Sequence, residues 1–227
     1  MAAAVLDPNP AGAFPWRTML RVARGVVLGL GLFLVTGNLA ILAASQWSAR
    51  STTLWSPDLG VKNLTIVDDR VWRSAAPGAR SYDDLAAAGV RTIVDLRAED
   101  NLHVDVDRLS ALGIRWVHLP IRDGQIPTEQ QVERFLTEVR DSEGITLVHC
   151  GAGVGRTGAM VAAYRVKTGL SSGLEAMKAN LAVGPPSLEQ LAFAAGLDDG
   201  ADRPPAALVA ASRLLDAPRR LWSRYGL

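Results

Sequence analysis

Leu147-Val148-His149-Cys150-Gly151-Ala152-Gly153-Val154-Gly155-Arg156-Thr157-Gly158 sets the chain's one cysteine between two different periodicities. The apolar run Ile145, Leu147 and Val148 predicts a strand, and the pattern from Thr157 to Lys167 predicts a helix. Small residues join them. A helix N-terminus presents unpaired N–H groups and a partial positive charge, and glycines let successive amides turn toward one point. The segment is therefore an anion site, with Gly151, Ala152, Gly153, Val154 and Gly155 as its lining. In such a field a cysteine pKa falls from about 8.5 to roughly 3.5–7.5, so Cys150 is expected as a thiolate.

Arg156 is the first residue able to project back over the loop, and its planar fork suits two oxygens of a phosphoryl group. Thr157 offers a hydroxyl that can hydrogen-bond sulfur and help it leave a thiophosphate. A buried cysteine is otherwise an inert small hydrophobe, and a glycine turn between strand and helix is common in α/β proteins. The arginine and threonine beside it are what separate a nucleophile from that ordinary case.

These residues resemble the C-x5-R-[ST] signature of the protein tyrosine phosphatase superfamily, in particular its small dual-specificity group. Three further stretches are similar to segments of that family, in the same order: Val71-Trp72-Arg73-Ser74-Ala75-Ala76-Pro77, Gly89-Val90-Arg91-Thr92-Ile93-Val94-Asp95-Leu96-Arg97 and Pro186-Ser187-Leu188-Glu189-Gln190-Leu191. In the last, Ser187 stands where the family usually has asparagine, beside the loop, and is assigned a supporting role. The resemblance covers about residues 61 to 197. It implies hydrolysis of phosphate monoesters through a phosphocysteine, without cofactor or metal. A rhodanese-like sulfur transferase also holds a cysteine in an amide-lined loop, but does not require Arg156-Thr157.

Expelling an alkoxide or phenoxide needs a proton donor. The family places an aspartate before the helix that precedes the cysteine strand, and Asp123, in His118-Leu119-Pro120-Ile121-Arg122-Asp123-Gly124-Gln125-Ile126-Pro127, is the candidate. Gly124 and Pro127 mark a turn there. An aspartate before glycine also serves as a plain turn former. Asp95, inside a strand pattern, and Asp105, at a helix start, are the fallbacks. For His149 the resemblance implies a buried imidazole that orients the loop, and a satisfied core histidine is the ordinary alternative. No cluster of Cys, His, Asp and Glu has metal-ligand spacing.

Residues 25–45, from Gly25 to Ser45, contain no charge over 21 positions. That length lets a helix cross about 30 Å of hydrocarbon, so the reading is a single transmembrane helix. A cleaved signal peptide is the competitor, with Arg17, Arg21 and Arg24 as a basic flank and Ala43-Ala44-Ser45 before a cut, but the run exceeds the usual apolar length of about 7–15 residues. A buried core helix is the third alternative, disfavoured because all faces are apolar. The positive-inside rule sends the catalytic domain to the extracytoplasmic side. A reduced thiol is safest in the cytoplasm, and Arg213, Arg219, Arg220 and Arg224 near Leu221, Trp222 and Tyr225 suit an anionic leaflet or a solvated terminal helix.

The expected organisation is a tail over 1–24, the span over 25–45, a connector over 46–60, the catalytic domain over 61–197 and a linker with a basic helix or tail over 198–227. Within the domain, strands are expected at Thr65–Trp72, Thr92–Leu96, Arg115–His118 and Ile145–His149. Helices are expected at Tyr82–Ala88, Asp105–Leu112, Thr128–Asp141, Thr157–Lys167, Ser172–Asn180 and Leu188–Ala195, then Ala206–Ala217. This alternation implies a three-layer α/β fold of the phosphatase type, its largely parallel sheet flanked by helices and its site at the strands' carboxyl ends. A net charge of +1 and no basic stripe with aromatics argue against nucleic acid.

The loop's five intervening residues carry no charge, which favours a phosphoprotein substrate, phosphotyrosine foremost. Phosphoinositides, phosphatidylglycerophosphate and inositol phosphates are the alternative substrates, given the expected bilayer. A membrane-anchored module that binds phosphate without turnover is the alternative of a different class.

Overall fold

The computed structural model describes residues 16–100, 102–200 and 203–217. Arg219, Arg220, Leu221, Trp222, Arg224 and Tyr225 fall outside them, as do residues 1–15 of the expected tail.

Helix α1 (Trp16–Ser51) is followed by β1 (Thr65–Ile66), β2 (Val71–Ala75), α2 (Tyr82–Ala87), β3 (Val90–Arg97), α3 (Val106–Ala111) and β4 (Arg115–Ile121). Then come α4 (Glu129–Asp141), β5 (Ile145–Cys150), α5 (Gly155–Lys167), α6 (Gly173–Val183), α7 (Leu188–Gly196) and α8 (Ala206–Leu215). The five strands lie in the order β1-β2-β5-β3-β4, parallel except for the β1–β2 pair. The last strand in sequence thus sits in the middle, where strand order reverses and α/β sheets form their sites.

Two-residue alternation divides the core. Val71, Val94 and Val148 face Phe135 and Val139 of α4 and Met160 of α5, while Trp72, Ile93 and Leu147 face Leu85 of α2 and Leu109 of α3. Helices on both faces make three layers. Capping boxes start α4 at Thr128/Gln131, α6 at Ser172/Glu175 and α7 at Ser187/Gln190, so these chain entries into helix are fixed locally.

The expected strand Thr65–Trp72 is instead a hairpin. Asp68 Oδ1 accepts from the amides of Arg70 and Val71 at 2.9 and 2.7 Å, an aspartate-built turn that breaks the run and reverses the chain. β4 continues to Ile121 past a register shift opposite Asp95 and Arg97, three residues beyond the expected end at His118.

α1 has 36 residues, about 54 Å at 1.5 Å per residue, and is long and apolar enough to cross a membrane. It continues through Gln46–Ser51, where a connector is expected. Val22, Val27, Leu28 and Leu32 are exposed, but the C-terminal half is seated on the domain. Ser45 and Ser48 donate to the carbonyls of Leu181 and Lys178 in α6 at 2.8 and 2.7 Å, satisfying acceptors near that helix's end. Farther back, a Cβ at Gly37 would lie 2.7 Å from Leu215 Cδ2 of α8, so the two helices approach closely there. Asn38 Nδ2, the strongly polar group of the apolar run, donates to Leu34 O and to Leu215 O.

Candidate active site

Cys150 ends β5, and α5 begins at Gly155, two residues before the expected Thr157, so Arg156 and Thr157 stand in its first turn. The loop between them is ordered by where its carbonyls go. Gly151 O accepts from Ala76 N at 3.1 Å, and Ala152 O from Asn63 Nδ2 at 2.8 Å. Gly153 O accepts from Arg73 Nη2 at 2.6 Å, and Val154 O from Gly158 N at 2.9 Å. With every carbonyl from Gly151 to Val154 bonded outward, the amides are left for the cradle. Gly153 has φ +73°, and a Cβ on it would lie 2.4 Å from Ser74 O and Ala75 N, so the loop rests directly on β2.

The Arg156 side chain is 4% exposed. Its Nη1 and Nη2 bind Glu99 Oε2 and Oε1 at 2.9 and 2.8 Å, and Nη1 also reaches Ile121 O at 3.2 Å. The fork expected to face phosphate is thus engaged along its Nη edge. Buried Nε has no hydrogen-bond partner among the described residues and lies 3.6 Å from Asp123 Oδ1. Nε and the second N–H of Nη2, which stands beside Gly151, are the donors that the Glu99 and Ile121 bonds leave over. Burial disfavours the charge on Arg156, but the Glu99 bonds and the nearby Cys150 and Asp123 more than offset it and raise its pKa. Arg156 in turn holds the Glu99 carboxyl below its ordinary range.

Asp123, 42% exposed, lies in the turn after β4. Ser187 Oγ donates to Gly124 O at 2.9 Å and Gln190 Nε2 to Gln125 O at 2.9 Å, so the N-terminus of α7 holds that turn. Ser187 therefore supports the aspartate's turn and not the cysteine loop itself, which Gln190 touches at Gly155. Both fallback carboxylates are committed elsewhere. Asp95, fully buried, takes a bidentate pair from Arg97 at 2.7–3.1 Å, and Asp105 caps α3 through Arg108 N. Burial alone would raise Asp95, and the Arg97 bonds override it so that its pKa is lowered.

His149 is buried, with Nδ1 3.3 Å from Cys150 O and Nε2 3.8 Å from Asp95 Oδ2. Burial pushes its pKa down to about 4, so the ring is neutral at physiological pH. Thr157 Oγ1 is buried and makes no hydrogen bond among the described residues. Among those residues no group of three or more His, Cys, Asp or Glu side chains could hold a metal ion.

Four participants were not assigned from the sequence: Glu99, Arg73, Asn63 and Gln190. Glu99 left one usable signal, an acidic residue just past a strand's carboxyl end, where α/β sites form. Asn63 and Arg73 left none, because their contacts span 89 and 80 residues of chain.

A cysteine at the carboxyl end of the central strand, under outward-bonded carbonyls and facing a buried arginine, defines a phosphatase of the dual-specificity and tyrosine phosphatase class. The chain belongs to the family described as "DSP-PTPase phosphatase fused to NAD+ Kinase", which matches residues 60–196. It is 41% identical over 63 residues to the dual specificity protein phosphatase CDC14C of Homo sapiens, covering 28% of this chain and 14% of that one. It is 30% identical over 140 residues to the dual specificity protein phosphatase TpbA of Pseudomonas aeruginosa, covering 60% and 61%. The chain therefore spans less than two thirds of these relatives' own lengths. The crystal structure of P. aeruginosa TpbA in complex with pTyr superposes with a TM-score of 0.50 at 22% identity, covering 71% of this chain and 94% of that one, a likeness of fold.

Proposed function

We propose that this phosphatase hydrolyses phosphate monoesters in two steps, with phosphotyrosine in proteins as the foremost substrate. The Cys150 thiolate attacks phosphorus. An S–P bond forms as the bond to the leaving oxygen breaks, and Asp123 gives that oxygen its proton. Water then attacks the phosphocysteine, Asp123 takes the water's proton, and the S–P electron pair returns to sulfur as phosphate leaves. Amides of Gly151 to Gly155 and the Nε edge of Arg156 hold the equatorial oxygens, whose charge shifts in each transition state. Thr157 assists the departing sulfur, and neutral His149 and Ser187 hold the loop and the acid turn.

The observation that carries this reading is the outward bonding of all four carbonyls from Gly151 to Val154 around a cysteine backed by a buried guanidinium. The uncharged lining supports a single-phosphate substrate over an inositol polyphosphate. The charge-free run 25–45, with arginines at 17, 21 and 24, supports a membrane span that carries the 61–197 domain on the extracytoplasmic side.

The test compares the full-length chain in detergent with Cys150→Ser on phosphotyrosine peptides, phosphoinositides, phosphatidylglycerophosphate and inositol phosphates. Phosphate release that falls at least about a thousandfold in the variant is expected, with peptides turned over best. Equal release by both proteins ends the mechanism. Binding of phosphopeptide without release by the unaltered chain converts the reading to a phosphate-binding module, and preference for a lipid moves the substrate to the bilayer.

A further inference from the structure

A loop that offers its amides to an anion must bury its carbonyls somewhere, and buried carbonyls need donors. For two of the four, that donor is one side chain from another strand. Arg73 lies in the middle of β2, paired with Val148, on the face of the sheet that carries Cys150. It is only 3% exposed. Its Nη2 donates to Gly153 O at 2.6 Å, to Val154 O at 3.3 Å and to Asn180 Oδ1 of α6 at 3.0 Å. No carboxylate pairs with it among these contacts.

A buried cation without a carboxylate is costly, and its usual fate is pairing or loss of its proton. Burial pulls the Arg73 pKa down to about 10, against the attraction of Cys150 and with the repulsion of Arg165 from α5. The group keeps its charge at neutral pH. The charged groups facing Cys150 are thus Arg73 from β2 and Arg156 from α5. Glu99 and Asp123 meet Arg156 from the other side, and His149 is neutral.

We propose that Arg73 is a positioning residue for the phosphatase reaction: it holds the Gly153 and Val154 carbonyls beneath the loop, so that the loop amides stay aimed at phosphate. Asn180 fixes the guanidinium from α6. The inference rests on the phosphatase reading but concerns the resting site, so it can be tested without turnover.

Cys150 is the sole cysteine, so iodoacetamide reports on it alone, and inorganic phosphate protects it by occupying the loop. In the full-length chain, Arg73→Gln is expected to weaken phosphate protection at least about tenfold, because the Gly153 and Val154 carbonyls lose their donor. Arg73→Lys keeps the charge without the fork, and protection still weakens. The alkylation rate without phosphate stays close to that of the unaltered chain in both, a separation that a merely structural role would not produce. If Arg73→Gln fails to show a native near-ultraviolet dichroism spectrum, Arg73→Lys and Asn180→Ala decide, both being expected to weaken phosphate protection. Unchanged protection in folded Arg73→Gln or folded Arg73→Lys overturns the proposal. A chain that obeys all these expectations but hydrolyses no ester would refute the phosphatase reading and leave this one standing.

Discussion

The cysteine loop and the aspartate turn meet at Arg156 and are built in opposite ways. The loop is over-determined: four carbonyls are bonded outward, Gly153 lies hard against β2, and Arg156 is almost fully buried. The turn carries an exposed Asp123, 3.6 Å from Arg156 Nε, and the neighbouring carbonyls of Gly124 and Gln125 are held by residues of the α7 cap. Holding an oxyanion demands preorganised dipoles, while handing over a proton demands a group that can approach and withdraw. The difference teaches that the cysteine loop is fixed by the sheet and its central helix, and the aspartate turn by a helix cap.

Three substitutions break or sharpen this contrast. The largest effect is expected from Gly153→Ala, whose Cβ meets β2 backbone at 2.4 Å from a left-handed conformation. It should destabilise the fold by about 3 kcal/mol and lower the thermal midpoint by about 6–12 °C, with activity lost alongside. A melt like that of the unaltered chain would show that the loop is looser than drawn. Next comes Asp123→Asn, expected to slow alkyl phosphate hydrolysis about 10²–10⁴-fold while changing stability by no more than about 0.5 kcal/mol. Paired kinetics on alkyl and p-nitrophenyl esters check it, since the better leaving group should suffer less; equal slowing of both would take proton donation away from this residue. Ser187→Ala should have the smallest effect, about 1 kcal/mol in urea unfolding from the lost cap, with a several-fold drop in kcat and phosphate affinity unaltered. Weakened phosphate binding in that variant would erase the distinction between the two halves.

The same contrast explains what the chain's linear order disclosed. Cys150, Arg156 and the glycines between them are local, so they could be singled out together, and Asp123 became the candidate acid from the family's aspartate before a helix and from the turn signals beside it. Glu99 and Arg73 reach the loop from 57 and 80 residues away, and no periodicity announces such a meeting. Ser187 was expected beside the cysteine loop; its segment touches Gly155 through Gln190, while its own hydroxyl meets Gly124 O, a partner that depends on packing. The fold was legible where strands alternate cleanly about the core. It was misread at Asp68, where one carboxylate folding back on two amides turned an extended run into a hairpin.

Ser45 and Ser48 fasten α1 to α6, and Gly37 beside Leu215 lengthens that seam before the helix leaves the domain. A rod joined in this way is a handle and not a leash. Whatever grips Trp16–Phe33 also sets the bearing of the domain that carries Cys150.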